Sequence, residues 1–203
     1  MTPSAACGAL LLGAGFGRRF GGDKRLASFR GSTVAEQTSA VYRSVFAHLR
    51  IVIRAEDDGL RERLAVHSGS LVSSQDAHLG MGHSLAAGMQ DLTWEWVFVG
   101  LLDMPMVQPE TLRQLRDAAL AQTTPAIIRP RHTNPQNGQG VSGHPVGWHR
   151  YYFNELQRCQ GDEGARRLLR RYSGEIIEIA VDDAGVHLDI DRPEDLTAYN
   201  SPQ

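Results

Sequence analysis

Lysine occurs once in this chain of 203 residues, at position 24, although lysine and arginine together number 21. It closes the stretch LLLGAGFGRRFGGDK, residues 10–24, in which Gly13, Gly15, Gly17, Gly21 and Gly22 surround Arg18 and Arg19. A glycine loop brings backbone N–H groups close to an anion, and a compact ammonium makes a point contact to phosphate oxygens where a guanidinium would impose a planar fork. Arg18, Arg19, Lys24 and Arg25 stand against one nearby acid, Asp23, so the local charge is one-sided. A glycine-rich turn with a solvated basic face is the plainer reading. Two phosphate loops are excluded. Asp23 before Lys24 and Arg25 after it break the Walker pattern, and the G-x-G-x-x-G spacing would need glycine at Arg18 or Phe20.

Carboxylates supply the complementary chemistry. Asp103, in LLDMPMV, follows the most apolar run of the chain, and opposite a phosphate-binding loop it could hold Mg2+. Its alternative role is to cap a helix starting near Pro109. Asp189 and Asp191 alternate with apolar residues in LDID, so in a strand both would share one face, where a cation would relieve their repulsion. An ordinary cap at Asp191 with a solvated Asp189 fits the same pattern. His144, in GHPVG, could contact an anionic substrate, move a proton or fix the turn into the next strand. His149 stands on another face, which argues against a His–His metal pair.

The elements that must position these groups alternate. Residues 9–12 read as a buried strand running into the glycine loop. A helix capped by Ser32 or Thr33 extends to about residue 48, followed by a strand at 49–53, a surface helix at 57–66 and a weak strand at 71–73. A small-residue helix, SLAAGMQDL (84–92), precedes WVFVGLL (96–102), the strongest strand. A helix at 109–122, a strand at 126–129 and a long polar loop at 132–143 come next. GDEGARRLL (161–169) opens a further helix with acids at its start and arginines at its end. Strands at 175–181 and 186–188 and a last helix from Pro193 complete the chain. Strand–helix alternation argues for a mostly parallel sheet covered on both faces, with ligands beyond the carboxyl ends of its strands.

The length fits one α/β domain, 1–203. A net charge of −2 gives no general attraction to nucleic acid or anionic lipid. Without a long apolar run or a basic leader, neither export nor membrane insertion is expected. Cys7 and Cys159, far apart and without a C-x-x-C, suit a reduced cytoplasmic protein, with Cys7 a small buried residue of the first strand.

LLLGAGFGRRFGGDK resembles the LAAG/LAGG-x-S-x-R-M-G-x-x-K signature of the MobA-like nucleotidyltransferases, and GMGHSLAAGM, LLDMPMV, SGHPVGW and DIDRPEDL resemble that family's later motifs. GDEGARRLL is similar to a segment of its molybdenum cofactor cytidylyltransferase branch. The resemblance implies a Rossmann-like three-layer α/β/α sandwich with a mostly parallel central sheet, of the nucleotide-diphospho-sugar transferase kind. It further implies transfer of a nucleotidyl group from an NTP to a phosphorylated acceptor with release of pyrophosphate. By position it places the nucleotide on Leu12, Gly13, Ala14, Gly15 and Gly17, with Arg18 and Lys24 on its phosphates and Ser84 in the base and ribose pocket. Asp103 and Asp191 become the ligands of Mg2+, with Mn2+ as an alternative, and Gly143 and His144 part of the acceptor site, His144 only positioning. Ala14 resembles the form associated with CTP rather than GTP. The implied partners are CTP, a molybdenum-bearing molybdopterin acceptor and molybdoenzyme maturation proteins. Gly13 where the family usually has Ala, Phe20 for Met, and Arg25-Leu26-Ala27 after Lys24 are departures. A guanylyltransferase, transfer to another metabolite or sugar phosphate, and a nucleotide-binding or cofactor-delivery protein without turnover are the alternative readings.

Overall fold

Apolar residues on successive positions of the inner strands point to opposite sides, and the fold uses both. A computed structural model describes residues 6–17, 20–65, 69–134 and 138–200. In β1 (Cys7–Leu12), β4 (His48–Arg54) and β6 (Trp96–Leu101), Ala9, Leu11, Ile51, Ile53, Trp96 and Phe98 enter one core, while Leu10, Leu12, Val52, Val97 and Val99 enter another. The first core is covered by α1 (Val34–Arg43), α2 (Asp58–Leu64) and α4 (Pro109–Leu120). The second is covered by α3 (Met81–Gly88), α5 (Phe153–Leu156) and α6 (Arg166–Arg171). This is the three-layer α/β/α arrangement, and burial of both sheet faces explains why these strands read as continuous apolar runs.

The sheet has eight strands in the order β10-β7-β9-β6-β1-β4-β5, with β8 paired to β7. β5 is Ser70–Ser74, β7 Ile127–Thr133, β8 Gly140–Ser142, β9 Val146–His149 and β10 Ile176–Val181. The pairs β1/β4, β1/β6, β4/β5 and β7/β10 are parallel. β9 runs antiparallel to both β6 and β7, so the sheet is mixed. A small separate hairpin, β2 (Ser28–Phe29) with β3 (Ser32–Thr33), leads into α1.

Thr33 starts α1 with a reciprocal cap: its hydroxyl accepts from Glu36 N at 3.2 Å, and Glu36 Oε2 accepts from Thr33 N at 3.0 Å. Thr33→Ala should lower stability by about 1 kcal/mol in a urea melt, since it removes one half of that cap. α1 ends at Arg43, well before residue 48.

Other elements depart from the sequence reading. Among the described residues of 132–143 part is strand rather than loop, because β7 continues through Thr133 and pairs antiparallel with β8. Residues 161–165 are not helix: Gly161 (φ 67°) and Gly164 (φ 53°) make a turn that L side chains disfavour, and α6 starts only at Arg166. Asp162 and Glu163 therefore do not stand in its first turn. Residues 184–187 form a 3-10 turn instead of a strand, because Gly185 lies against the Met106 carbonyl, leaving no room for a Cβ. Cys7 and Cys159 carry free thiols, and burial pushes that of Cys7 up to about 12. Among the described residues no helix is long and apolar enough to cross a membrane.

Candidate active site

The carboxyl ends of β1 and β6 lie side by side in register, Leu12 opposite Leu101, so the glycine loop and Asp103 leave the sheet at one edge. Between them is a cavity of about 450 Å3. Leu12, Gly13, Ala14, Gly15 and Gly17 line it from the loop, and Lys24, Ser84 and Asp103 from farther along the chain. Arg18 lies outside the described residues. Gly13 closes the strand: its N–H donates to the Val52 carbonyl at 2.8 Å, and a Cβ there would lie 2.4 Å from Leu102 Cδ2. Leu102 thus fills the space that an alanine at position 13 would need. The N–H groups of Ala14, Gly15, Phe16 and Gly17 make no hydrogen bond among the described residues, which leaves them available to an anion.

Lys24 is buried, and its ammonium lies between two carboxylates, 2.7 Å from Asp103 Oδ2 and 2.8 Å from Asp191 Oδ1. Burial opposes its charge, but the two aspartates outweigh burial and raise its pKa above the ordinary lysine value. The sequence reading directed this ammonium at phosphate; the fold first sets it between the carboxylates. Asp103 Oδ1 is buried with no hydrogen-bond partner among the described residues. A carboxylate oxygen in that state suits a cation. Asp103 and Asp191, sharing one cation already, fit a divalent ion bound by oxygen. Among the described residues no group of three or more His, Cys, Asp or Glu side chains forms a closed metal cage. Two carboxylates with substrate phosphates completing the shell is the usual Mg2+ arrangement. Asp189 lies close by: burial and the charges of Asp191 and Asp103 raise its pKa against the opposing charge of Lys24.

The main chain fixes both aspartates. Ile190 N donates to the Asp103 carbonyl at 2.9 Å, and Asp195 Oδ2 accepts from the N–H groups of Asp191 and Arg192 at 2.9 and 2.8 Å, ahead of α7 (Pro193–Asn200). Asp191 is thus held through its main chain by Asp195. Asp103 does not cap α4, whose N-cap residue is Gln108; Asp183 serves that helix start, its Oδ2 accepting from Gln108 N at 2.9 Å and Thr111 Oγ1 at 2.7 Å.

Arg25 departs most from the sequence reading. It is buried with Asp57, which receives its Nη1 at 2.6 Å and Nη2 at 2.8 Å; Asp23 takes Nε at 2.8 Å and Nη2 at 2.6 Å, and the Gly13 carbonyl is a further acceptor. Arg25 therefore braces the loop from beneath, and the one-sided charge is partly cancelled. Arg54, 2.6 Å from Asp57, extends the network and lies over the Phe16 ring, 5.0 Å from its centroid.

Gly143 and His144 do not line the cavity. Gly143 packs so tightly against the Val186 backbone that a Cβ would lie 1.9 Å from its carbonyl oxygen, and His144 N donates to the same carbonyl at 2.7 Å. Burial lowers the His144 pKa despite its contact with the Val99 carbonyl and the charge of Asp103. Sequence reasoning missed Asp162 and Met81, both of which line the cavity. The signal lay in the glycines: Gly82 N donates to the Gly161 carbonyl at 2.7 Å, and neither Gly80 nor Gly82 has room for a side chain against residues 160–162.

The mostly parallel mixed sheet between helical layers is shared with solved structures. A 4-diphosphocytidyl-2C-methyl-D-erythritol synthase from Anaerococcus prevotii shares the fold with a TM-score of 0.75 at 14% identity, over 97% of this chain and 95% of that one. Residues 9–176 match the MobA-like NTP transferase domain, and the chain belongs to that family of nucleotidyltransferases. The purine catabolism protein PucB of Bacillus subtilis is 28% identical over 200 residues, 92% of each chain. Rv0371c of Mycobacterium tuberculosis has a TM-score of 0.81 and 27% identity over 98% of this chain and 100% of its own. Its manganese complex gives 0.76 and 26% over 97% and 98%.

Proposed function

We propose that this protein transfers CMP from CTP to a phosphorylated acceptor, molybdenum-bearing molybdopterin, releasing pyrophosphate in a reaction that needs Mg2+ or Mn2+. The observation that carries this reading is the meeting of the glycine loop, Lys24 and Asp103 in a single cavity, with Asp191 on the other side of the Lys24 ammonium and a buried Asp103 oxygen that has no hydrogen-bond partner among the described residues. The manganese seen with the mycobacterial relative supports the metal assignment. Ala14, buried and lining the cavity, supports CTP, since its methyl group narrows the space for a purine.

The protein's part is positioning and charge. An acceptor phosphate oxygen forms a bond to the α-phosphorus while the bond to the bridging oxygen breaks, and pyrophosphate leaves with that electron pair. The N–H groups of residues 14–17 hold the phosphate chain, and Lys24 neutralises charge growing on the leaving group. A divalent cation on Asp103 and Asp191 would supply further charge neutralisation at the phosphate oxygens. No general base is required, because a phosphate nucleophile is already ionised at neutral pH. His144, outside the cavity lining, is left only a positioning role.

The decisive test is pyrophosphate release with each NTP, with and without molybdopterin-type acceptor and Mg2+. CTP should be the best donor, and Ala14→Gly should raise use of GTP; wild-type turnover with GTP above that with CTP would refute the base assignment. Lys24→Arg should retain nucleotide binding within a few-fold yet lower turnover by about tenfold or more, because the planar fork does not fit where one ammonium touches both carboxylates. An unchanged kcat would show that charge alone matters.

A further inference from the structure

Asp162 is a carboxylate on the wall of the cavity whose chemistry the mechanism above leaves unused. It reaches the site from the turn between α5 and α6, and its carboxylate makes no hydrogen bond or ion pair among the described residues. The turn is fastened to the start of α3. Gly82 N donates to the Gly161 carbonyl at 2.7 Å, Gly161 N donates to His83 Nδ1 at 3.3 Å, and a Cβ on Gly80 would lie 2.6 Å from Asp162 Oδ1. Asp162 is thus held against the α3 wall of the cavity, beside Met81 and Ser84.

Charge decides which part of a nucleotide can lie there. Phosphates belong with Lys24 and the loop N–H groups, and a carboxylate without a counter-cation would repel them. An ionised carboxylate only accepts hydrogen bonds. The neutral part that every NTP shares, whatever its base, is the ribose, whose two adjacent hydroxyls can both donate to one carboxylate. We propose that Asp162 is a specificity-determining residue that accepts hydrogen bonds from the ribose hydroxyls of the bound nucleotide and so selects ribonucleotides over 2′-deoxynucleotides. This rests on the nucleotidyltransferase reading of the cavity, but not on which base or acceptor is used.

The test is calorimetric binding of CTP, UTP and GTP and their 2′-deoxy forms, with Mg2+, to the full-length wild type, Asp162→Ala and Asp162→Asn, with folding checked by circular dichroism. Wild type should prefer the ribonucleotide by about tenfold to a hundredfold, the range of one or two hydrogen bonds to a charged group. In Asp162→Ala that preference should fall to within about threefold of unity by weaker ribonucleotide binding, with deoxynucleotide binding little changed, and Asp162→Asn should lie between. An unchanged ribo-to-deoxy ratio in Asp162→Ala overturns the proposal. So does a change in the CTP-to-UTP ratio with the ribo-to-deoxy ratio intact, which would assign the carboxylate to the base amine. If Asp162 only steadies the start of α3, its removal lowers stability and leaves every ratio as it was, which also overturns it. Should wild type bind GTP and not CTP, the same ratio is read on GTP, so the base assignment fails by itself while the ribose contact is still decided.

Discussion

Asp103→Asn is expected to leave a folded protein whose metal-dependent release of pyrophosphate has fallen by about a hundredfold to a thousandfold. The amide keeps the shape of the side chain, and the backbone bond from Ile190 N to the residue 103 carbonyl does not involve it. What disappears is the charge: Lys24 keeps only Asp191, and the buried Oδ1 that suits a cation becomes part of an amide. Circular dichroism should be unaltered while the Mg2+ titration of activity flattens. A variant as active as wild type at every Mg2+ concentration would remove Asp103 from the metal assignment.

The largest expected effect on stability lies beneath the loop. Asp57→Ala should destabilise the chain by about 3–5 kcal/mol in urea denaturation, because it leaves the buried Arg25 guanidinium half-paired. A loss under about 1 kcal/mol would mean that water replaces the carboxylate without cost. The same pair predicts a pH dependence. Burial pushes the Asp57 pKa up, but hydrogen bonds from Arg25 and Arg54 outweigh it and hold the carboxyl below the usual aspartate range. A depressed folded-state pKa contributes stability that is present above the unfolded aspartate pKa and is lost as pH falls through the folded value. Wild type should therefore lose stability on acidification below about pH 4, and Asp57→Ala should lose less over that interval.

What could be read from the sequence divides along the distance between partners. The inner strands were legible because residues buried on both faces make unbroken apolar runs, and α1 because Thr33 and Glu36 carry their cap within one turn. Lys24 stands out in the sequence by rarity, Asp103 by its strand-end position, and Asp191, which alternation does not separate from Asp189, by the family resemblance; the fold brings the three together. Arg25 was misjudged because its second partner, Asp57, looks from its neighbours like the start of an ordinary surface helix. The acids of GDEG suited a helix start equally well on local grounds. Only the close packing of Gly80 and Gly82 on residues 160–162 shows that this segment serves as a wall. Residues 132–143 read as a loop on their polar, Gly- and Asn-rich composition, which hides the pairing of Arg131–Thr133 with Gly140–Ser142.

The strap that carries Asp191 has a consequence for how the molecule is made. Every strand of the sheet has been synthesised by Val181, yet Lys24 then has only one of its two carboxylates. Chain growth proceeds from the amino end, so the sheet can assemble while the reaction centre is still half built. On the function proposed above, a chain cut short after β10 would hold all the strands yet lack Asp191, and it is expected to release no pyrophosphate from nucleotide.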